Sequence, residues 1–140
     1  MKTACILGVL VLSLSLCGIA VHAEDNFAQG ATAAAETWLG QVDTGDYAGS
    51  WREASTYFQG AITEQAWVAS LHRVRTPLGQ RLSRQLKQVQ HTQSMPGAPD
   101  GDYVVMQFDT RFANKQAAVE TVTVMQEKQG AWKAAGYYIK

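Results

Sequence analysis

Hydrophobic residues in the first part of the chain recur at helical spacing. From Phe27 to Val42 they fall three or four positions apart, which predicts an amphipathic first helix with one buried stripe. Gly45 then breaks the pattern, and Asp46 is well placed to cap a second helix. The predicted apolar face of that second helix comprises Tyr47, Trp51, Ala54 and Phe58.

A third helix is expected after a break at Gly60. Thr63 is a suitable N-cap, and the apolar residues that follow share one helical face, at Trp67, Leu71 and Val74. Pro77 disfavours helical backbone at the residue before it, so this helix should end near Thr76. Three helices therefore precede the first clear strand.

The pattern changes to alternation in the second half of the chain. Residues 103–112 have one apolar face, formed by Val104, Met106, Phe108 and Phe112. Their opposite face carries Gln107, Asp109 and Arg111, so this strand should have one buried face and one wetted face. Residues 81–93 are more polar and their apolar positions change parity, which predicts a long, bulged strand.

Turn residues separate these strands from one another. Asp100-Gly101 is a strong turn signal, and Gln129-Gly130 predicts a hairpin between the segments 117–128 and 131–140. Helices followed by a meander indicate an α+β fold. We therefore expect three N-terminal helices packed on a curved four-stranded antiparallel meander.

The N-terminus is typical of a secretory signal peptide. Lys2 precedes an apolar stretch over residues 4–16, and Val21 and Ala23 occupy the positions at which signal peptidase requires small residues. We therefore expect cleavage near Ala23, a single mature domain over residues 24–140, and a periplasmic or secreted location.

Two alternatives to cleavage stay open. Cys17 lies where a bacterial lipoprotein would be lipidated, although Leu16 is bulky for the position before it. Residues 4–21 form an apolar stretch that is short for an uncleaved membrane anchor. Because Cys5 and Cys17 both lie in this segment, a chain cleaved near Ala23 would have no disulfide and no thiol nucleophile. Cleavage would also remove the apolar stretch, so no membrane span is expected in the mature form.

Charge is unevenly distributed along the chain. Lys2 is the only charged residue before the predicted cleavage point, so the mature chain has 11 basic and 12 acidic residues and a net charge of −1. This balance argues against a nucleic-acid partner, which requires an excess of Lys and Arg. Residues 24–64 are mostly acidic, whereas residues 65–99 contain basic residues and no acid.

The basic segment contains a candidate site for a small anion. Guanidinium groups bind carboxylate and phosphate in a bidentate manner. The arginines that could form this site are Arg73, Arg75, Arg81 and Arg84. The alternative is that they pair within the molecule, with acids of the preceding helices such as Glu36, Asp43, Asp46 and Glu53.

Neither metal binding nor a catalytic constellation is indicated. His72 and His91 lack the spacing of zinc ligands, so no metal or other cofactor is expected. The mature chain has no Gly-x-Ser-x-Gly motif and no clear carboxylate pair, which favours a noncatalytic domain. The alternative is a small-molecule carrier or enzyme with a pocket inside the curved sheet, using Tyr57, Tyr103, Asp109 or Tyr137.

Two further groups of side chains could contact a ligand or partner. The first group is the four tryptophans, Trp38, Trp51, Trp67 and Trp132. Large aromatic rings build the core of most small domains, so we expect these residues in the core. The alternative is that they line a ligand pocket. The wetted row of Gln107, Asp109 and Arg111 is a candidate interaction surface. A second copy of the chain or an envelope protein could dock there.

Several stretches together resemble a known family. They are "WLGQVDTGDYAGSW", "RTPLGQRLSR", "PGAPDGDYVVMQFDTRFANK", "AVETVTVM" and "WKAAGYYIK". These stretches, which span nearly all of the mature chain, resemble the domain of unknown function 4019 family of exported bacterial proteins. The resemblance implies an α+β cone similar to the cystatin-like and nuclear-transport-factor-2-like folds, and it implies no activity.

Overall fold

Four α-helices make up the first half of the described chain. The structure is a computed structural model that describes residues 19–140. Residues 1–18, with Cys17 and most of the predicted signal peptide, lie outside the described residues. The helices are α1 (Ile19–Asp43), α2 (Tyr47–Glu53), α3 (Thr56–Ala61) and α4 (Glu64–Arg75), and a 3₁₀ turn follows at Thr76–Leu78.

Four strands follow the helices and form one antiparallel sheet. They are β1 (Arg81–Thr92), β2 (Tyr103–Phe112), β3 (Lys115–Gln126) and β4 (Trp132–Ile139), and they lie in the order β1-β2-β3-β4. The predicted α+β class and the four-stranded meander are therefore confirmed. Because the order is sequential, β1 and β4 are the edge strands of the sheet.

The second predicted helix is two short helices in the structure. The backbone turns at Ala54 and Ser55, where the Ser55 hydroxyl accepts a hydrogen bond from the Phe58 amide (3.1 Å) and caps α3. The Ser55 amide donates to the Ala134 carbonyl on β4 (2.8 Å). Apolar spacing continues through the break, so periodicity alone predicts one helix where the cap and the contact with the sheet produce two.

The other predicted helix signals are confirmed. The Asp46 carboxylate accepts from the Gly49 amide (2.9 Å), and the Thr63 hydroxyl accepts from the Ala66 amide (3.2 Å). The last helix ends at Arg75, and Pro77 lies in the 3₁₀ turn that follows. These short polar side chains satisfy amide groups that the first helical turn leaves without intrahelical partners.

The loop before β2 is held by backbone chemistry. Gly97 has a φ of 77°, a conformation that favours glycine. The Tyr103 hydroxyl donates to the Pro99 carbonyl (2.5 Å), and the Tyr57 hydroxyl donates to the Gly97 carbonyl (3.2 Å). Both tyrosines that border this loop therefore fix its path into β2.

Aromatic and aliphatic side chains fill the space between the helices and the sheet. Trp38 and Trp67 are buried, and their indole N–H groups donate to the Ser50 carbonyl (2.8 Å) and hydroxyl (3.0 Å). The predicted apolar face of β2 is buried at Val104, Met106, Phe108 and Phe112. Trp51 and Trp132 are half-buried and pack against this core. The two buried tryptophans therefore belong to the core.

Candidate functional site

Three of the four predicted arginines converge on one carboxylate. The carboxylate of Asp43, the last residue of α1, accepts a hydrogen bond from Arg75 Nη2 (2.8 Å). It also accepts two hydrogen bonds from Arg84, in bidentate fashion, at 2.7 and 2.9 Å. Arg81 Nε lies 3.0 Å from the same carboxylate. Arg73 is exposed on α4, outside this cluster. The structure thus brings together Arg75, Arg81 and Arg84 and leaves Arg73 apart.

A second carboxylate lies deeper in the same cluster. Glu120 on β3 is fully buried and accepts Arg84 Nε at 2.7 Å and Nη2 at 3.1 Å. The Thr110 hydroxyl donates to Glu120 Oε1 (2.6 Å), and the Tyr137 hydroxyl donates to Oε2 (2.5 Å). Arg84 therefore bridges two carboxylates, and its guanidinium is shared between α1 and the sheet. We call this set the buried ion network: Asp43, Arg75, Arg81, Arg84, Thr110, Glu120 and Tyr137.

Strand register places these residues on the inner face of the sheet. Arg84 lies opposite the buried Thr110 in the pairing of β1 with β2. On β3, Glu120 has the same parity as the buried Val122 and Val124, so it faces the core rather than solvent. Arg75 reaches the network from the end of α4, with its guanidinium carbon 4.9 Å from the centre of the Phe112 ring.

The network counteracts an unfavourable position of Asp43. A carboxylate at a helix C-terminus lies at the negative end of the helix dipole. Burial also raises the pKa of Asp43, but the hydrogen bonds and charges of Arg84 and Arg75 outweigh burial and hold that pKa below its ordinary value. Burial is the largest influence on the pKa of Tyr137, which it raises together with the nearby Glu120 charge. The network therefore stabilises charged aspartate and neutral tyrosine.

Intramolecular pairing, the alternative open from the sequence, is observed for Asp43. Asp46 caps α2 instead, and Glu53 pairs with Lys133 at 3.6 Å.

Three guanidinium groups face two carboxylates, which leaves one positive charge in the network. A cavity of about 250 Å³ lies beside it and is lined by Glu36, Gly40, Asp43, Arg81, Arg84 and Phe108. Binding of an external anion by these arginines stays a prediction.

Sequence reasoning missed Glu120 and Thr110 as members of the cluster. A signal for Glu120 was present, because it is a charged residue on the parity of the apolar residues of β3. A carboxylate on the buried face of a strand requires a partner. Thr110 carries no such signal, since threonine is common in strands.

The predicted outer row lies on the other side of the same strands. Gln107 is half-buried, whereas Asp109 and Arg111 are exposed. Lys87 Nζ lies 3.2 Å from Asp109 Oδ1, and Arg111 Nε donates to Gln116 at 3.3 Å. An open depression of about 590 Å³ covers this region, and its lining includes Ser83, Gln85, Lys87, Asp109, Arg111, Gln116 and Lys140. The predicted alternation is confirmed, while the role of the row in binding stays a prediction.

The described residues offer little for metal chemistry. His91 Nε2 lies 2.9 Å from Asp102, and its ring packs edge-on against Phe27. Between residues 19 and 140, no three His, Cys, Asp or Glu side chains are grouped so that they could hold a metal ion. Over the same residues, no helix has the length and apolar character required to cross a membrane.

Fold and site together define an α+β domain whose sheet holds a buried ion network on one face and an exposed polar row on the other. The chain belongs to the DUF4019 family, described as proteins of unknown function, whose model matches residues 34–137. No curated protein and no solved structure matches the chain. The likeness to cystatin-like and nuclear-transport-factor-2-like folds therefore stays an expectation.

Proposed function

We propose that the protein is an exported, noncatalytic binding domain whose partner is an envelope protein. Export is supported by the basic start, the apolar stretch over residues 4–16 and the small residues up to Ala23. In this proposal the mature domain acts in the periplasm or outside the cell.

The outer surface of β1 and β2 is the observation that carries the proposal. Exposed polar side chains of β1 and β2 rim a depression of about 590 Å³, which is also lined by Ala117 and Val119 of β3, whereas core side chains fill the inner face of β2 and β3. Exposed charged and polar groups at the rim of such a depression are typical of protein interfaces, which combine a polar rim with a more apolar centre.

The charges on this surface are available to a partner. Lys87 and Asp109 are each more than half exposed, and exposed ion pairs contribute only about 0.2–1 kcal/mol. A partner can therefore replace this pair at small cost. Arg111 adds an exposed guanidinium, a group enriched in protein interfaces.

Export is tested by producing the full chain in a Gram-negative host and measuring the intact mass of the protein in each fraction. A periplasmic or secreted protein that begins at Glu24 supports the proposal, and an Ala23→Arg variant should remain unprocessed. A full-length chain in the cytoplasm contradicts export. A lipid adduct that is lost in a Cys17→Ser variant supports lipidation instead.

Partner binding is tested with a photo-crosslinking amino acid at position 111 and, as a matched control, at the exposed position 65 on α4. We expect one adduct of defined mass from position 111 only. The adduct should disappear in an Asp109→Lys variant, whose urea midpoint should equal that of the wild type and so show that the variant is folded. The two purified proteins should also bind each other. Equal crosslinking from both positions contradicts the assignment.

A small-molecule carrier is a second candidate, favoured by one cleft. It has a volume of about 420 Å³ and lies between α1, the end of α2 and the start of β4, lined by Thr37, Trp38, Gln41, Glu53, Trp132 and Lys133 among others. Ligand pockets commonly have this size and combine apolar walls with a few polar groups. A ligand that raises Tm in the wild type and not in Trp132→Ala supports this candidate, and a screen without such a ligand counts against it.

A further inference from the structure

The two edges of the sheet are protected to different degrees. β1 has two register shifts against β2, which interrupt a regular row of hydrogen-bonding groups along its free edge. The first half of β4 is covered, because the Ser55 amide donates to the Ala134 carbonyl (2.8 Å). Residues 136–139, which complete β4, contain no proline, no charged side chain and no register shift. This segment is therefore the least protected part of either edge.

Backbone groups of two residues in this segment point away from the sheet. Val119 on β3 and Lys140, directly after β4, exchange two backbone hydrogen bonds (3.1 and 3.0 Å). Hydrogen-bonded and non-hydrogen-bonded pairs alternate in an antiparallel ladder, and the register continues without a shift back to Tyr137. The N–H and C=O groups of Ile139 and Tyr137 therefore point toward the free edge. Within residues 19–140 they have no hydrogen-bond partner.

An apolar pocket lies beside these backbone groups. Helix α4 and strand β4 form its walls, and its lining comprises Trp67, Ser70, Leu71, Val74, Tyr137, Tyr138 and Ile139. Val74 is 44% exposed and Tyr138 is 49% exposed, so both are open to solvent. The pocket has a volume of about 180 Å³. Pockets for whole small molecules commonly measure about 300–1,000 Å³, so this smaller pocket is better suited to a single side chain.

Side-chain direction connects the free edge with the pocket. Tyr137 faces the helices, since its hydroxyl donates to the buried Glu120. Residues that lie opposite each other in an antiparallel pair project to the same face of the sheet. A strand added to β4 would therefore direct the residue opposite Tyr137 or Ile139 toward α4, where the pocket lies. The free backbone groups thus require an extended chain, and the pocket requires an apolar side chain on that chain.

The charges around the pocket indicate the character of that chain. Arg73 is exposed and lies three residues from Ser70, so the two are neighbours on the surface of α4. Lys140 follows the free segment, with its Nζ 5.7 Å from the centre of the Tyr138 ring. Neither cation forms an ion pair with an Asp or Glu of residues 19–140. A second copy would bring the same cations into the interface, whereas a chain with acidic residues would be attracted.

We propose that β4 binds an extended segment of a partner protein as an added strand, with an aliphatic side chain of that segment in the pocket beside α4 and acidic side chains next to Arg73 and Lys140. Backbone hydrogen bonds to Tyr137 and Ile139 supply affinity, and the pocket and the two cations supply specificity. The site lies on the opposite edge of the sheet from β1. The inference therefore does not depend on the outer row or on its partner.

Peptides selected from a displayed random library test the proposal on the purified protein, with a peptide length of about ten residues, that of a long strand. The library is first depleted on a Val74→Glu variant, which places an acid at the wall of the pocket. We expect the retained peptides to share alternating aliphatic residues flanked by Asp or Glu. A synthetic peptide of that consensus should bind the wild type, and Val74→Glu should raise its Kd about tenfold or more.

Val89→Glu is the matched control, because Val89 is 39% exposed on β1, away from the pocket. It should leave the Kd of the peptide unchanged, and both variants should have the urea midpoint of the wild type. Equal binding of the peptide to wild type and Val74→Glu overturns the proposal, as does a selection that enriches no peptide. Self-association of the wild type that Val74→Glu abolishes also overturns it, because a second copy would then cover the edge.

Two further measurements test the backbone contacts themselves. Methylation of the peptide amides that would donate to β4 should raise the Kd about tenfold or more, since several hydrogen bonds are lost while the side chains are kept. In hydrogen exchange, the amides of Tyr137 and Ile139 should exchange faster than the amide of Tyr138 in the free protein, and the peptide should slow these two. A methylated peptide that binds equally well, or protection on β1 instead, contradicts the assignment.

Discussion

Arg84 and Lys87 lie on the same strand, and each pairs with a carboxylate, but their surroundings differ. Arg84 faces inward, where its side chain is 10% exposed and contacts the fully buried Glu120. Lys87 faces outward, and both it and Asp109 are more than half exposed. Pairs of opposite charge therefore hold the fold together on one side of β1 and remain open to solvent on the other.

Burial decides the energetic difference between these two regions. Removal of one partner from a buried ion pair leaves an uncompensated charge and costs about 3–5 kcal/mol, whereas an exposed pair contributes about 0.2–1 kcal/mol. Arginine in the sequence is thus no guide to binding until its partners are known. The buried ion network is expected to be sensitive to substitution, and the outer row to tolerate it.

Glu120→Ala should produce the largest loss of stability. It leaves Arg84, Thr110 and Tyr137 without their shared acceptor, so we expect the free energy of unfolding to fall by about 3–5 kcal/mol. Urea denaturation measures this change. Glu53→Ala is the control, because Glu53 is an exposed acid 3.6 Å from Lys133 and its loss should cost less than about 1 kcal/mol. Similar losses in both variants would erase the distinction between buried and exposed acids.

Thr110→Val should have an intermediate effect. The substitution keeps the shape of the side chain but removes the hydroxyl that donates to Glu120 at 2.6 Å. Hydrogen bonds to charged groups contribute about 1.5–3 kcal/mol, so we expect a loss in that range. Thr123→Val, on the same sheet but only half-buried and outside the network, should change the unfolding free energy by less than about 0.5 kcal/mol. A neutral Thr110→Val would show that this hydroxyl is dispensable.

Acid should weaken the buried network through Asp43. Because the folded pKa of Asp43 is lowered, its contribution is fully present above the unfolded value of about 3.9 and is lost as pH falls through the folded pKa. Each unit of difference between the two pKa values corresponds to about 1.4 kcal/mol. The pH dependence of the free energy of unfolding is measured by urea denaturation of the wild type and of Asp43→Asn between pH 7 and pH 2.5. The variant should lose less stability than the wild type below pH 4. If the unfolding free energies of the two proteins fall in parallel, Asp43 is not the group through which acid acts.

Much of the fold could be predicted from local signals. The alternation of β2, the caps at Asp46 and Thr63 and the turn at Gly130 are each set by neighbouring residues, and all are confirmed. The division between α2 and α3 was missed, although the Ser55 hydroxyl that caps α3 is a local signal for it. The division also depends on a hydrogen bond from the Ser55 amide to β4, which is nearly 80 residues away in sequence.

The candidate site was less accessible from sequence for the same reason. The basic segment indicated Arg75, Arg81 and Arg84, and Asp43 was among the acids considered as partners. Their convergence with Glu120 depends on the register of three strands and on the ends of two helices. Sequence separates Arg84 from Glu120 by 36 residues, and only the packed sheet brings them together.

Paired double-mutant cycles test most directly the claim that the inner charges hold the fold and the outer charges do not. One cycle combines Asp43→Ala with Arg84→Ala, and the other combines Lys87→Ala with Asp109→Ala, each followed by urea denaturation. We expect a coupling energy of about 1.5–3 kcal/mol for the inner pair and about 0.2–1 kcal/mol for the outer pair. Equal coupling energies, or a larger one for the outer pair, would contradict the account.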